Sequence, residues 1–141
     1  MKRIANAHWN GNLKEGKGEI STQSTVLSNT QYSFNTRFAD GVGTNPEELL
    51  GAAHAGCFTM AVSAALTQAG ITAGDLNTRA VVELDMAAGP KISGITLELT
   101  ATAIDGVSQE QFEAFAQGAK ENCPISKALG GTPISLTVIY Q

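Results

Sequence analysis

The feature that most constrains this chain is a run of about two dozen residues, Asn45 to Gly70, with helix signals at both ends and almost no charge between them. Asn45 is placed to cap the amino end, Pro46 to take the first helical position and Glu48 the third. The helical pattern continues through Leu49, Leu50, Ala53, Cys57, Met60, Ala61 and Ala64, and Gly70 stops it. A helix that is apolar on most sides is buried on most sides. The chain must therefore build around this helix, with sheet and a partner molecule as its expected wrapping.

The flanking segments supply the sheet. Ile4 to Trp9 and Gly18 to Gln23 read as strands about a polar turn, and Thr30 to Phe38 reads as a third. In that third strand Tyr32, Phe34 and Thr36 share one side and Arg37 lies on the other. Asn77 to Met86 and Ile92 to Ala103 form a strand pair around Gly89-Pro90. Ser108 opens a second helix that ends near Asn122, a short third helix starts at Cys123-Pro124, and Ile134 to Tyr140 is a last strand. The order is βββ-α-ββ-αα-β, the pattern of one α+β domain spanning residues 1–141.

Composition narrows the function. Aromatics are only 6%, so small side chains bury little area each, which favours sharing the core with a second subunit. Net charge is −4, and the nine Lys and Arg are scattered, which argues against a nucleic-acid partner. Met1-Lys2-Arg3 is not followed by an apolar core, and Phe58 to Leu66 is too short to span a bilayer, so a cytoplasmic protein without a membrane partner is expected. Cys57, Cys123, His8 and His54 lack the paired spacing of a zinc site. Gly41-Val42-Gly43 lacks the third glycine of a dinucleotide fingerprint. No metal or cofactor is expected.

Each candidate functional residue has a bland reading beside a chemical one. Cys57, mid-helix among small residues, is a buried small hydrophobe or a reactive thiol in need of a distant cation, since no Lys or Arg lies within about ten residues of it. Cys123 is a helix entry, or a thiol favoured as thiolate by unpaired N–H groups. Arg37, between Phe34 and Phe38, is a strand-surface arginine or that missing cation. Glu47 complements the helix dipole or pairs with Arg37. His54, one turn before Cys57, is a packed histidine or half of a Cys-His pair.

The combination is more specific than its members. Phe34-Asn35-Thr36-Arg37-Phe38, the stretch from Gly43-Thr44-Asn45-Pro46-Glu47-Glu48 to His54-Ala55-Gly56-Cys57-Phe58, Ala7-His8-Trp9-Asn10-Gly11, and Asn122-Cys123-Pro124-Ile125-Ser126 together resemble the OsmC/Ohr family of organic hydroperoxide reductases, most of all its OsmC branch. The resemblance spans essentially the whole chain. It implies an intertwined α+β homodimer with two sites at the subunit interface. It also implies that Cys57 is the peroxidatic cysteine, Cys123 the resolving one, Arg37 the branch's arginine and Glu47 the glutamate ten residues before the reactive cysteine.

That resemblance implies a thiol peroxidase active in stress defence. Cys57 would become a sulfenic acid, Cys123 would condense with it, and an external dithiol, a dihydrolipoyl protein or a small thiol, would reset the pair. Phe38, Phe58 and Met60 would line an apolar pocket for alkyl or lipid peroxides. Glu47 lies about 15 Å along a straight helix from Cys57, so two such helices packed antiparallel would bring Glu47 of one chain toward Cys57 of the other. Two rivals remain: a redox sensor that uses the same disulfide without turnover, and a structural dimer module.

Overall fold

The computed structural model describes residues 1–141 and divides into two compact units, Met1–Leu49 and Leu50–Gln141. Ten elements follow in order: β1 (Ala5–Asn10), β2 (Lys17–Thr22), β3 (Thr30–Tyr32), α1 (Phe34–Phe38), α2 (Pro46–Gln68), β4 (Leu76–Asp85), β5 (Lys91–Ala101), α3 (Gln109–Asn122), α4 (Pro124–Ala128) and β6 (Ile134–Tyr140). The α+β class and the strand and helix order match the expectation, with one added helix, α1.

The first unit is a three-stranded antiparallel sheet, β1-β2-β3, in which Trp9 faces Gly18 and Gly18 faces Tyr32. The rings of Trp9 and Tyr32 stand 5.5 Å apart over that glycine. A Cβ on Gly18 would enter both rings, so only glycine lets them close over the strand. Trp9 also donates its indole N–H to Gly11 O at 2.9 Å.

Helix α1 corrects the reading of Thr30 to Phe38 as one strand. The strand stops at Tyr32, and Ser33 caps a helix in its place. Its Oγ accepts from the Thr36 N–H, while Thr36 Oγ1 accepts from the Ser33 N–H at 2.8 Å. Phe34 and Phe38, four residues apart, then pack as a tilted ring pair with centroids 4.8 Å apart. Alternation of Tyr32, Phe34 and Thr36 fits a strand, but local capping and the aromatic pair select a helical turn.

The second unit holds the larger sheet, ordered β4-β5-β6. β4 and β5 pair antiparallel, with a register shift at Glu83/Leu84, and β5 and β6 pair parallel. Parallel neighbours need a crossover, which α3 and α4 supply. Alternate residues of β5, Ile95, Leu97, Leu99 and Ala101, are buried. They form one core with Phe58, Val62 and Leu66 of α2 and Phe112, Ala116 and Ala119 of α3. Both helix triplets recur every three or four residues, the spacing of one helix face.

The ends of α2 follow the local chemistry foreseen for them except at the Glu48 side chain, which closes no capping box. Asn45 Oδ1 accepts from the Glu48 N–H at 2.8 Å, and the Glu48 carboxylate accepts from Thr44 Oγ1 at 2.9 Å, where a capping box would have closed on Asn45. Gly70, at φ +77°, closes the other end, and the Ile71 N–H reaches back to Leu66 O at 2.9 Å. By length and composition alone α2 is long and apolar enough to cross a membrane, an apolar stretch longer than Phe58 to Leu66. Here its Phe58, Val62 and Leu66 side chains are fully buried against protein.

Candidate functional site: two residue pairs

Within the second unit α2 presents Cys57 and the junction of α3 and α4 presents Cys123. The two sulfurs are joined as a disulfide, with the Cα atoms 6.1 Å apart across 66 positions of sequence. Their settings differ. Cys123 is completely buried in the core, whereas Cys57 is only partly buried against it. Of the two, Cys57 is the more accessible.

Cys123 occupies a corner between two helices. It is the last cap of α3, its N–H donating to Ala119 O at 2.9 Å, and the first cap of α4, its carbonyl accepting from the Lys127 N–H at 3.0 Å. The expectation that a helix start favours its thiolate is therefore incomplete. The negative end of the 14-residue α3 faces the positive end of the five-residue α4 at this residue.

Within the first unit Arg37, from α1, meets Glu47, from the first turn of α2. Arg37 Nη2 donates to Glu47 Oε1 at 2.7 Å, and Arg37 Nε lies 3.1 Å and 3.3 Å from the two carboxylate oxygens. The guanidinium is thus gripped along its side, leaving Nη1 free of the carboxylate. Its Cζ lies 5.3 Å from the Phe38 ring centroid, a cation–π contact. The Arg37 side chain keeps 36% of its exposure and Glu47 13%, so the acid is the more enclosed partner. An aromatic cavity of about 290 Å³ adjoins the pair, lined by Trp9, Leu13, Tyr32, Phe34, Arg37 and Phe38.

Two expected pocket residues lie elsewhere. Phe58 is fully buried among core side chains, so it lines no open pocket, and Met60 is 75% exposed on the outside of α2. Phe38 does line the aromatic cavity. His54 is a packed histidine: it is fully buried, and its Nε2 lies 2.8 Å from Ser126 Oγ. Burial lowers its pKa below the ordinary value for histidine, because the charged ring would lose its water. Ser126 was not singled out from the sequence as a site residue. The signal available for it was its spacing, three residues after Cys123 as His54 stands three before Cys57.

Residues 39–138 match the family model described as OsmC-like protein. The chain is 46% identical over 136 residues, 96% of its length and 92% of the other, to the Peroxiredoxin OsmC of Escherichia coli strain K12. It is 34% identical over 120 residues, 85% of its length and 84% of the other, to an organic hydroperoxide resistance protein-like sequence of Staphylococcus aureus strain MSSA476. Among solved structures, an organic hydroperoxide resistance protein OsmC from Legionella pneumophila superposes with a TM-score of 0.73 at 28% identity, covering 99% of this chain and 97% of that one.

Proposed function

The chain belongs to the OsmC family, and on that premise we propose that it is a thiol-dependent peroxidase that reduces organic hydroperoxides to alcohols through Cys57 and Cys123. The observation that carries this reading is the disulfide between a partly accessible cysteine on α2 and a fully buried cysteine at the junction of α3 and α4.

The cycle follows from these settings. The Cys57 thiolate attacks the terminal oxygen of the hydroperoxide, the O–O bond breaks, and the alkoxide leaves with a proton as the alcohol. Cys57 is left as a sulfenic acid, and Cys123 condenses with it to the disulfide with loss of water. An external dithiol reduces the disulfide and returns both thiols. Arg37 supplies the cation that favours the Cys57 thiolate and the developing charge on the departing oxygen. Glu47 orients the guanidinium by the side-on grip described above. The aromatic cavity beside Arg37 suits the organic part of the substrate. All 141 residues act as one catalytic domain, in the cytoplasm, in defence against oxidative stress, with a dihydrolipoyl protein or small thiol as reductant. No cofactor enters these steps.

The active species in this reading is a homodimer. Its support is the outer face of α2, where Ala52, Gly56, Met60 and Ala64 recur every four residues and are exposed. Small side chains at that spacing let a second α2 approach closely. Two α2 helices packed antiparallel would carry Glu47 of one chain toward Cys57 of the other.

The test is consumption of cumene hydroperoxide with dithiothreitol or dihydrolipoamide. Turnover by the wild type that disappears in Cys57→Ser supports the enzyme. One-time oxidation without turnover would make the protein a sensor, and an unreactive Cys57 would sink both readings. Mixed dimers of Cys57→Ser and Glu47→Ala subunits decide between same-chain and cross-chain sites, because only one arrangement leaves an intact site.

A further inference from the structure

His54 has no part in the cycle derived above, yet it is the one buried imidazole of the core. Its Nε2 bonds Ser126 Oγ at 2.8 Å, and its buried Nδ1 has no hydrogen-bond partner. Ser126 is itself only 7% exposed. A half-satisfied imidazole is a costly filling for space that an apolar side chain could occupy. Its position gives it a use.

His54 stands three residues before Cys57 on α2, and Ser126 stands three residues after Cys123 in α4. Residues three apart share a helix face. The two pairs therefore make two adjacent rungs, running in opposite directions along the two segments: His54 to Ser126, and Cys57 to Cys123. One rung is covalent and opens whenever the disulfide is reduced. The other has no redox-active atom.

Backbone bonds to Ala119 O and from the Lys127 N–H fix Cys123 within its own segment, but His54–Ser126 is the one hydrogen bond that ties this segment to α2. α4 has five residues, too few to be stable alone, and its cap Cys123 makes no side-chain capping bond. Ile125 and Leu129 pack on the core, but apolar contacts are non-directional. A buried hydrogen bond is directional and fixes one register.

We propose that the His54–Ser126 hydrogen bond is a redox-independent register pin that holds Cys123 opposite Cys57 while the disulfide is open, making both residues positioning residues for the resolution step. In that step the Cys123 sulfur bonds to the Cys57 sulfur and the Cys57 S–O bond breaks. The hydroxyl leaves with the Cys123 proton as water. Cys123 is oxidised and Cys57 is reduced by the same electron pair. The place of the pin in a catalytic cycle rests on the peroxidase reading, whereas its effect on the two thiols does not.

The experiment has two arms. In the first, the reduced full-length protein is equilibrated in glutathione buffers, and the Cys57–Cys123 disulfide is quantified by mass spectrometry. Ser126→Ala is expected to lower its equilibrium constant about three- to tenfold, the range of one buried hydrogen bond. Ser126→Thr, which keeps the hydroxyl, should return it to about the wild-type constant. In the second arm, one equivalent of cumene hydroperoxide is added with dimedone. Ser126→Ala should collect several-fold more adduct on Cys57, with disulfide formation slowed more than Cys57 oxidation. Such a split would not come from a general loss of stability.

A wild-type equilibrium constant in Ser126→Ala overturns the pin, and so does a Thr variant that fails to rescue. Should Ser126→Ala not fold, the double variant His54→Leu/Ser126→Ala leaves neither partner buried and unpaired. It carries the same expectation, and a wild-type constant there also overturns the pin. A wild type that ignores hydroperoxide defeats the peroxidase reading alone, since the glutathione arm still decides the pin.

Discussion

The two residue pairs are built on opposite terms. Cys57 and Cys123 sit in the larger unit, on a 23-residue helix and at the corner of two others, beside side chains with no exposure at all. Arg37 and Glu47 sit in the smaller unit, on a five-residue helix and the first turn of α2, and Arg37 keeps over a third of its exposure. A disulfide forms only within a narrow range of separations, so its partners need a packed frame. A cation that must meet substrate and then release product needs access and some freedom. In the proposed mechanism, then, bond-making falls to the well-packed region and charge-tuning to a more exposed one.

The largest effect that tests this contrast is on activity. Cys57→Ser should remove catalytic turnover of hydroperoxide, leaving the uncatalysed rate. Arg37→Ala should leave residual turnover, reduced about 10²- to 10³-fold, the scale of losing one donor that stabilises developing charge. Arg37→Lys should be little better, because an ammonium cannot reproduce the side-on grip on Glu47. Initial rates with cumene hydroperoxide check all three. An Arg37→Ala enzyme at wild-type rate would break the assignment of the cation.

Stability should show the same contrast at a smaller scale. Phe112 is fully buried and stacks on Tyr140 with centroids 4.5 Å apart. Phe112→Ala should cost about 3–5 kcal/mol in a denaturant titration. Glu47→Gln breaks a partly exposed ion pair, and its cost should stay under about 1 kcal/mol and shrink with added salt. If Glu47→Gln cost as much as Phe112→Ala, the first unit would be packed as tightly as the second, and the contrast would fail.

The same division governs what could be read from sequence. The start and end of α2 were legible because Asn45, Pro46, Glu48 and Gly70 act within one turn of their own backbone. The β4–β5 pair and β6 were legible from alternation, since one face of the sheet is buried. α1 was not, because Tyr32, Phe34 and Thr36 satisfy a period of two while Ser33 and Thr36 close a helical cap. The Cys57–Cys123 pair was legible only through the family resemblance, since nothing local links residues 66 apart. The Ser126 contact to His54 spans 72 positions, and its one sequence signal was the matching three-residue spacing of each partner from a cysteine. The burial of Phe58, assigned to a pocket from its apolar character, shows the same limit: composition separates apolar from polar, not core from cavity.

The smallest effect concerns His54, and it sharpens the contrast because it places a titratable group inside the packed unit. Burial lowers its pKa in the folded state, while the unfolded chain keeps an ordinary histidine value. Above the unfolded pKa both states hold a neutral ring and no penalty arises. As pH falls below about 6.5 the unfolded state takes up a proton that the folded state refuses, so unfolding is favoured. The loss grows until pH reaches the lowered folded pKa, where both states are protonated and it levels off. Denaturant midpoints measured from pH 7.5 down to pH 5.5 should therefore fall more steeply for wild type than for His54→Gln. Taking the difference between the two proteins cancels the titration of every other group they share. Parallel curves would mean that the folded ring accepts a proton as readily as the unfolded one, and that water reaches His54 in the very region taken here as closed.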